Sequence, residues 1–493
     1  MRLMNVIKFS VPRISTPVVR VAAMVSLALV AGCAEMPHRP YVQAVSATVQ
    51  AACNAPAIPD TIDVKDITPE VPDSTSYRLH FIEFDDQGWP HQSKRHGSSK
   101  IPNAEFQVDC AIADLASTLE SENVRAFVYV HGWHHSAAHD DRDLNRFREL
   151  LTEEARRGNP SSPRRVIGFY VGWNGNTVPA PLLKHLTFWG RKNAAHHVSE
   201  GTAREFFARI KALRDYWNQP THKGRSENCG SDRAGMPCPL RTIMIGHSFG
   251  AWILFSATSP YILETLSGVS DLPKDVQNAI SERERSIADL VVLLNPAFEG
   301  SRYEPVFRAS QRYRGHWYQP PLLVSVTSTA DGATKTAFPI ARFFNSIFQY
   351  PATSEAESEA MKHTHGHIER YLTHDLTADP LRTSKDKNSR MTCVLRDGSE
   401  SDPQTLRTRF YSSGLTPDGS LQLEPRWTRE MCGGLTLRSL GNPTVPSDGI
   451  VWNIRTFKEV IPDHNSITTL PLLNFVQQLY GDVGATPRLK IAR

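Results

Sequence analysis

One pentapeptide, GHSFG at positions 246–250, constrains the fold of this chain more than any other stretch. The largely apolar residues 240–245 before it, LRTIMI, predict a short buried strand, and residues 251–257 after it predict the start of an apolar helix. A strand that turns into a helix around G-x-S-x-G makes a sharp, strained turn, and the glycines let strand and helix approach closely. The pattern predicts that Ser248 projects from a sheet edge at a helix N-terminus, where developing negative charge is favoured. The alternative is a glycine-rich turn with an incidental serine.

Apolar, β-branched runs and amphipathic stretches alternate along the chain. The runs predict strands at 77–84, 126–130, 165–171, 289–294, 322–327 and 449–454. The amphipathic stretches predict helices at 111–119, 144–156, 202–216 and 470–480. This alternation predicts an α/β fold with a mostly parallel sheet covered by helices on both faces. Ligands of such sheets bind at the carboxyl ends of the strands, where the polar residues considered below all lie.

Residues 1–32 have the features of an export signal. Four basic residues and no acidic one accompany an apolar run of 12 residues at 21–32, which is too short to span a membrane as a mature helix. The run ends in LVAGC at 29–33, which resembles the lipobox of bacterial lipoproteins, whose cysteine is lipidated and becomes the first residue after cleavage. We therefore expect a signal peptide at 1–32 and lipidation of Cys33. The alternative is an ordinary secretory signal with a coincidental cysteine.

An anchored protein of this kind needs a spacer, and residues 33–75, rich in Pro, Ala and Thr, are expected to be a tether. The resemblance to lipoproteins implies a bacterial membrane location, and Ala34 after the cysteine favours the outer membrane by their sorting rules. The net charge of +4 in 493 residues is small and evenly spread, with no basic stripe interleaved with aromatic residues. We therefore expect a membrane partner through the lipid anchor and no nucleic acid partner.

Six cysteines remain besides Cys33, and an even number in an exported protein predicts disulfides. The connectivity cannot be deduced from the sequence, but closeness along the chain favours three pairs. These are Cys229–Cys238, Cys393–Cys432 and Cys53–Cys110. No Cys-x-x-Cys pair is present, which argues against a thiolate metal site.

An exposed serine at a strand-to-helix turn can act as a nucleophile if a base, an acid and hydrogen-bond donors surround it. The expected chain order for this architecture is serine, acid, histidine. Asp331, in a tight Ala-Asp-Gly turn after the strand at 322–327, is the favoured acid, although it could simply form an Asx turn. Glu299, after the strand at 289–294, stays open as the alternative.

His464 is the favoured base among 19 histidines. It lies late in the chain, on a loop between the last strand and the terminal helix, as the chain order requires. The alternative is that Asn465 or Ser466 caps the helix and His464 is incidental. The amides of Phe249 and Trp133 are the expected oxyanion donors, because one follows the nucleophile and the other follows the strand at 126–130. Gly132 would let the second backbone segment approach a reacting oxygen closely.

The GHSFG turn, the VHGW segment at 130–133, Asp331 and His464 together resemble the α/β-hydrolase superfamily. The resemblance covers about residues 75–345 and 445–485, and residues 351–440 depart from it as a polar insertion before the histidine. It implies an α/β-hydrolase domain at 76–485. HGWHHSA at 131–137 and LTFWGRK at 186–192 are similar to a poorly characterised group of secreted esterase-like hydrolases, which names no substrate.

This resemblance implies cleavage of a small-molecule or lipid carboxylic ester through an acyl-enzyme. Ser248 would attack, His464 would accept its proton and Asp331 would orient the imidazole. The amides of Trp133 and Phe249 would stabilise the oxyanion. Such a mechanism needs no cofactor and no metal, and we expect none. Amidase or peptidase action on the same fold and a non-catalytic cell-surface interaction role are the alternatives.

Two further features have weaker functional interpretations. His363, His365 and His367 would present imidazoles on one side of an extended strand, as a metal site could, but a polar surface is the favoured interpretation. The pairs His134-His135 and His196-His197 are expected to be surface histidines as well. The apolar stretch 179–189 could form a lid, an acyl-chain pocket or a membrane-contact helix, or could simply pack over the sheet edge.

Overall fold

The structure of the chain is a computed structural model. It describes residues 77–90, 106–156, 164–175, 188–218, 238–270, 286–312, 321–339, 342, 352–379, 427–441 and 449–485. The expected signal peptide, Cys33, the tether and residues 179–187 lie outside the described residues. Among the described residues, no helix is long and apolar enough to cross a membrane.

Strands and helices alternate through the first two thirds of the described chain, as predicted. The strands are β1 (Tyr77–Phe84), β2 (Asn123–Val130), β3 (Arg164–Trp173), β4 (Leu240–His247), β5 (Leu290–Leu294), β6 (Leu323–Ser328), β7 (His374–Ala378), β8 (Thr428–Met431), β9 (Leu435–Ser439) and β10 (Val451–Thr456). The described helices are α1 (Phe106–Leu119), α2 (Arg142–Arg156), α3 (Phe188–Glu200), α4 (Thr202–Trp217), α5 (Phe249–Ser270), α6 (Gly300–Arg312), α7 (Glu355–Lys362) and α8 (Leu470–Ala485).

The ten strands form one sheet in the order β1-β3-β2-β4-β5-β6-β10-β7-β9-β8. Every neighbouring pair from β1 to β7 is parallel, and only the β7–β9 and β9–β8 pairs are antiparallel. The prediction of a mostly parallel α/β sheet is therefore confirmed. Because the strands are parallel, the carboxyl ends of β4, β6 and β10 meet at the same edge of the sheet.

Both faces of the sheet are buried, as the apolar strands predict. Along β2, Val124, Ala126 and Val128 lie in one hydrophobic core, whereas Phe127 and Tyr129 lie in the other. This alternation is the two-residue period of a strand. Side chains of α1, α3, α4, α5 and α6 pack into the first core, and those of α2 and α8 pack into the second. The helices therefore cover the sheet on opposite sides and hold the central strands in place.

The predicted polar insertion at 351–440 is structurally part of the sheet where it is described. Strand β7 pairs in parallel with β10, the strand that precedes the His464 loop. Strands β9 and β8 then extend the sheet beyond β7. Strand β7 is short, and its burial ends after three residues. This segment therefore supports the strand that leads to His464.

Two of the six cysteines, Cys110 and Cys238, bear on the disulfide prediction. Cys110 and Cys238 are buried and disulfide-bonded. The cysteines expected to pair with them, Cys53 and Cys229, lie outside the described residues, as does Cys393. The three pairings therefore stay predictions.

Candidate active site

Three residues predicted from the sequence meet at the carboxyl edge of the sheet. The His464 ring lies between the other two, with Nε2 2.8 Å from Ser248 Oγ and Nδ1 2.8 Å from Asp331 Oδ2. Ser248 follows β4, Asp331 follows β6 and His464 follows β10. Because β5, β6 and β10 are consecutive neighbours beside β4, residues more than 200 positions apart come into hydrogen-bond contact. The three side chains form one hydrogen-bonded chain of hydroxyl, imidazole and carboxylate.

The turn that carries Ser248 has the strained backbone expected of it. Ser248 has a φ of 55°, in the left-handed region that residues other than glycine rarely adopt. Its N–H donates to Leu294 O at 3.0 Å, and its carbonyl accepts from Ala297 N at 3.2 Å and Trp252 N at 3.3 Å. These backbone hydrogen bonds hold the turn in place, so Ser248 keeps its strained conformation. They fix Ser248 at the N-terminus of α5, where the hydroxyl meets the histidine.

Asp331 is fully buried and heavily hydrogen-bonded. Its Oδ1 accepts from the N–H groups of Ala333 and Thr334 at 2.9 and 3.1 Å, and its Oδ2 accepts from the Thr334 hydroxyl at 2.6 Å. Burial alone would raise the pKa of this carboxyl. The hydrogen bond to His464, the charge of that ring and the bonds from Thr334 outweigh burial and lower the pKa below its usual value. Asp331 is therefore ionised and fixed in orientation. The turn is followed by a short π-helix, Ala333–Ala337, a feature frequent at functional sites.

Two side chains that the sequence analysis did not assign hold the backbone of His464. His247 Nε2 donates to the His464 carbonyl at 2.9 Å, and Asn295 Nδ2 donates to the same oxygen at 3.1 Å. Asn295 Oδ1 also accepts from Ser328 N at 3.0 Å, which ties the His464 loop to the end of β6. Asn295 has a φ of 42°. In the sequence, the signal for Asn295 is that a polar residue directly follows a buried strand. The fold is needed to show which groups it contacts.

The segment predicted to supply an oxyanion donor lies against the nucleophile. A Cβ placed on Gly132 would come 3.0 Å from the Cβ of Ser248, so the absence of a side chain is what allows this approach. His131 anchors the segment. Its Nε2 accepts from Trp173 N at 3.1 Å, so its Nδ1 donates to Gly132 O at 2.9 Å. Burial lowers the pKa of His131 to about 4, which keeps the ring neutral. The Trp133 ring lies 6.0 Å from the Phe249 ring.

Glu299, the alternative acid, belongs to a different cluster. Its carboxylate forms ion pairs with Lys192, with Arg342 at 3.1 Å and with Arg302 at 3.2 Å. Burial would raise the pKa of Glu299, but the charges of Lys192 and Arg342 lower it. The carboxylate that contacts His464 is that of Asp331, so the structure separates the two candidates that the sequence left open.

The histidines at 363–367 are not on an extended strand, as the metal interpretation required, and the favoured expectation of a polar surface is wrong for His365, which is buried. Residues His365–His367 form a 3-10 turn. His365 is buried with its Nε2 2.7 Å from Ser325 Oγ, and His367 Nε2 lies 2.9 Å from Thr334 Oγ1. A helical turn points these rings in different directions, which does not fit a shared metal ligand set at this place.

His135 also departs from its expectation as a surface residue. It is buried, 3.1 Å from Asp141 and 3.5 Å from Asp143. The loop between β2 and α2 folds it inward, towards the back of the turn that carries Ser248. Its neighbour His134 is only partly buried and stacks on Trp133 at 4.1 Å, so the two adjacent histidines have different environments.

Comparison of the chain with protein-family models, with curated proteins and with solved structures gives no match. The interpretation of the site therefore depends on the geometry of its residues.

Proposed function

We propose that the protein is a serine hydrolase of the α/β-hydrolase fold that cleaves carboxylic esters. The observation that carries the proposal is the position of the His464 ring, 2.8 Å from both Ser248 Oγ and Asp331 Oδ2. With Nδ1–H donating to the ionised Asp331, Nε2 presents a lone pair to the Ser248 hydroxyl. That tautomer is the one that removes a proton from a nucleophilic serine.

The proposed reaction has two halves. As Ser248 Oγ forms a bond to the acyl carbon, its proton moves to His464 Nε2, and the amides of Phe249 and Trp133 stabilise the oxyanion. His464 then gives that proton to the leaving alcohol as the ester bond breaks, which leaves an acyl-serine. Water attacks the acyl carbon with His464 again accepting a proton, and this step releases the acid and restores the Ser248 hydroxyl.

We propose that Cys33 is lipidated and that the mature chain is anchored to the bacterial outer membrane through this lipid. The sequence at 29–33 is the support for this location. A lipid anchor at Cys33 would hold the hydrolytic domain near the membrane surface, where small-molecule and lipid esters are both accessible. Metabolic labelling with a clickable fatty acid, compared with a Cys33→Ser variant, tests the anchor independently of the reaction.

Covalent labelling tests the reaction most directly. A fluorophosphonate probe forms a bond between Ser248 Oγ and phosphorus and releases fluoride only if the hydroxyl is activated. We expect labelling of the full-length chain purified in mild detergent, and turnover of short p-nitrophenyl esters. Ser248→Ala and His464→Ala should lose both, whereas Ser121→Ala, at an exposed turn, should keep both. A folded wild type that neither labels nor turns over any ester would refute the proposal.

The acid is tested by a substitution that keeps its shape. Asp331→Asn should lower kcat by about 10⁴-fold, because an amide favours the wrong tautomer of His464. Thr334→Val, which removes one hydrogen bond to the same carboxylate, should lower kcat by about tenfold. A turnover rate of Asp331→Asn close to wild type would show that this carboxylate does not orient the base.

A further inference from the structure

Three buried side chains converge behind the turn that carries Ser248. His135, Asp143 and His247 are all buried, and each offers one nitrogen or oxygen atom within 4.8 Å of the other two. His135 comes from the loop after β2, Asp143 from the first turn of α2, and His247 from the end of β4. The proposed hydrolytic mechanism uses none of these three as a reacting group, so their convergence needs a separate explanation.

The atoms that face one another are too far apart for hydrogen bonds. His135 Nε2 lies 3.5 Å from Asp143 Oδ1, and His247 Nδ1 lies 3.6 Å from Asp143 Oδ2. Among the described residues, neither Asp143 Oδ1 nor His247 Nδ1 has a hydrogen-bond partner, although both atoms are buried. Buried polar atoms are normally satisfied, so these two point to a missing ligand. The 3.5 Å between His135 Nε2 and Asp143 Oδ1 is close to the about 3.4 Å that separates two ligands of a tetrahedral zinc ion, each about 2.0–2.2 Å from the metal.

The other polar atom of each side chain is already engaged in the way that metal ligands require. His135 Nδ1 lies 3.1 Å from Asp141 Oδ1, His247 Nε2 donates to the His464 carbonyl at 2.9 Å, and Asp143 Oδ2 accepts from Tyr129 OH at 2.8 Å. Metal-binding histidines usually donate their second N–H to a carboxylate or a carbonyl, which fixes the tautomer with its lone pair towards the metal. All three side chains are therefore oriented for coordination.

A glycine lies beside the unpartnered nitrogen of His247. A Cβ on Gly132 would come 2.7 Å from His247 Nδ1 and 3.2 Å from its Cε1. Any larger residue at 132 would therefore occupy the approach to the unpartnered nitrogen. The same Cβ would come 3.0 Å from the Cβ of Ser248, so the unpartnered nitrogen and the Ser248 side chain both lie against this one glycine.

We propose that His135, Asp143 and His247 bind one zinc ion through two imidazole nitrogens and a carboxylate oxygen. Two nitrogens and one oxygen from three protein side chains suit zinc, with a fourth position left for water. The ion would link the loop after β2 and the start of α2 to the turn that carries Ser248. Through the hydrogen bond from His247 to the His464 carbonyl, it would also support the backbone of His464. This proposal rests on the ligand geometry and is independent of the proposed ester hydrolysis.

Metal content and cobalt spectroscopy test the site without an activity assay. The full-length chain, purified without chelators, should contain about one zinc per chain by mass spectrometry of the metal. After removal of zinc, one equivalent of Co²⁺ should give the intense visible d–d bands of a four-coordinate ion. His135→Gln and His247→Gln should lose these bands. His139→Gln, at an exposed histidine in the same loop, is the matched control and should keep them.

Two further variants test the residues that hydrogen-bond to the proposed zinc ligands. Asp141→Asn and Tyr129→Phe should each weaken zinc affinity by about 10–100-fold in a competition assay with a chromophoric chelator, because each removes a partner of a ligand but no ligand. Zinc should raise the thermal midpoint of wild type and of His139→Gln by mass action, but not that of His135→Gln.

The opposite results would overturn the proposal. Folded wild type that takes up no stoichiometric zinc and gives no cobalt bands has no site here. That result would instead favour a protonated His135 that is paired with Asp141 and Asp143. Zinc held equally by wild type and by the two ligand variants would mean adventitious binding to other histidines. Variants of the buried ligands can fail to fold. The zinc content of wild type and the zinc affinity of Asp141→Asn decide the proposal without them.

Discussion

At the scale of single residues, the absence of side chains decides whether the Ser248 turn can form. A Cβ on Gly250 would lie 2.2 Å from Val130 O and 2.3 Å from His131 O, and a Cβ on Gly246 would lie 2.7 Å from Ala251 Cα. These are backbone atoms at the end of β2, directly after it and in α5, and they cannot rotate away as a side chain could. The two glycines of the pentapeptide are therefore needed for packing, in addition to any role in reactivity.

Gly250→Ala should be strongly destabilising for this reason. We expect a loss of about 3 kcal/mol or more in the free energy of unfolding, at or above the upper end of the usual cost of overpacking, because the clash is with backbone. Gly332→Ala is the matched control. A Cβ there meets nothing within 4 Å, and its φ of −66° suits alanine, so we expect no loss. Urea denaturation of both variants is the measurement, and equal stabilities would contradict the clash.

At the scale of elements, the loop between β5 and α6 is held by a buried charge cluster. Glu299 in this loop pairs with Lys192 of α3 and with Arg342, whose side chains are 7% and 9% exposed. Breaking a buried ion pair by removing one partner leaves the opposite charge uncompensated in a poorly solvated place. The Glu299 carboxylate thus ties α3 to the loop between β5 and α6. The same loop contacts the Ser248 turn, because Ala297 N donates to Ser248 O.

Glu299→Gln should therefore cost about 3–5 kcal/mol of stability, the range for breaking a buried pair. Glu149→Gln removes an exposed pair with Arg146, in which the glutamate side chain is 60% exposed, and should change stability by less than about 1 kcal/mol. Thermal and urea denaturation of the two variants measure the difference. A Glu299→Gln protein as stable as Glu149→Gln would mean that the buried cations reach solvent.

At the scale of the whole molecule, buried neutral histidines make stability depend on pH. His365 is fully buried, stacked on Tyr303 at 4.4 Å and close to Phe298 at 4.8 Å. Burial, together with the nearby His367, lowers the pKa of His365 to about 3. The unfolded chain has a histidine pKa of about 6.5. Between these two values the unfolded state binds a proton that the folded state does not.

Stability should therefore fall as the pH is lowered from about 6.5 towards 3, because protons favour the unfolded chain in this range. Each pKa unit corresponds to about 1.4 kcal/mol, so the loss from His365 alone is several kcal/mol. His365→Gln should flatten this part of the stability profile, whereas the exposed His139→Gln should not change it. Denaturation midpoints at a series of pH values measure the slopes. Identical slopes for wild type and His365→Gln would show that His365 is protonated in the fold.

Local patterns in the sequence were sufficient for most of the elements and for the members of the site. Strand β1 was predicted with the bounds that it has, and β2 to β6 and β10 were predicted to within a few residues. Ser248, Asp331 and His464 were selected by the strand-end rule and by their order along the chain. The strand predictions are accurate because periodicity and turn chemistry are properties of neighbouring residues, and the order of the three site residues is read directly from the sequence.

What only the tertiary structure decided is which distant groups meet. The order β4-β5-β6-β10 brings Asp331 rather than Glu299 to His464, and the pairing of β7 with β10 makes a polar segment part of the sheet. The convergence of His135, Asp143 and His247 likewise has no local signature, because each comes from a different element. Such contacts depend on strand order and on the packing of helices onto the sheet. Those are set by the burial of the whole hydrophobic core, which no local stretch of sequence encodes.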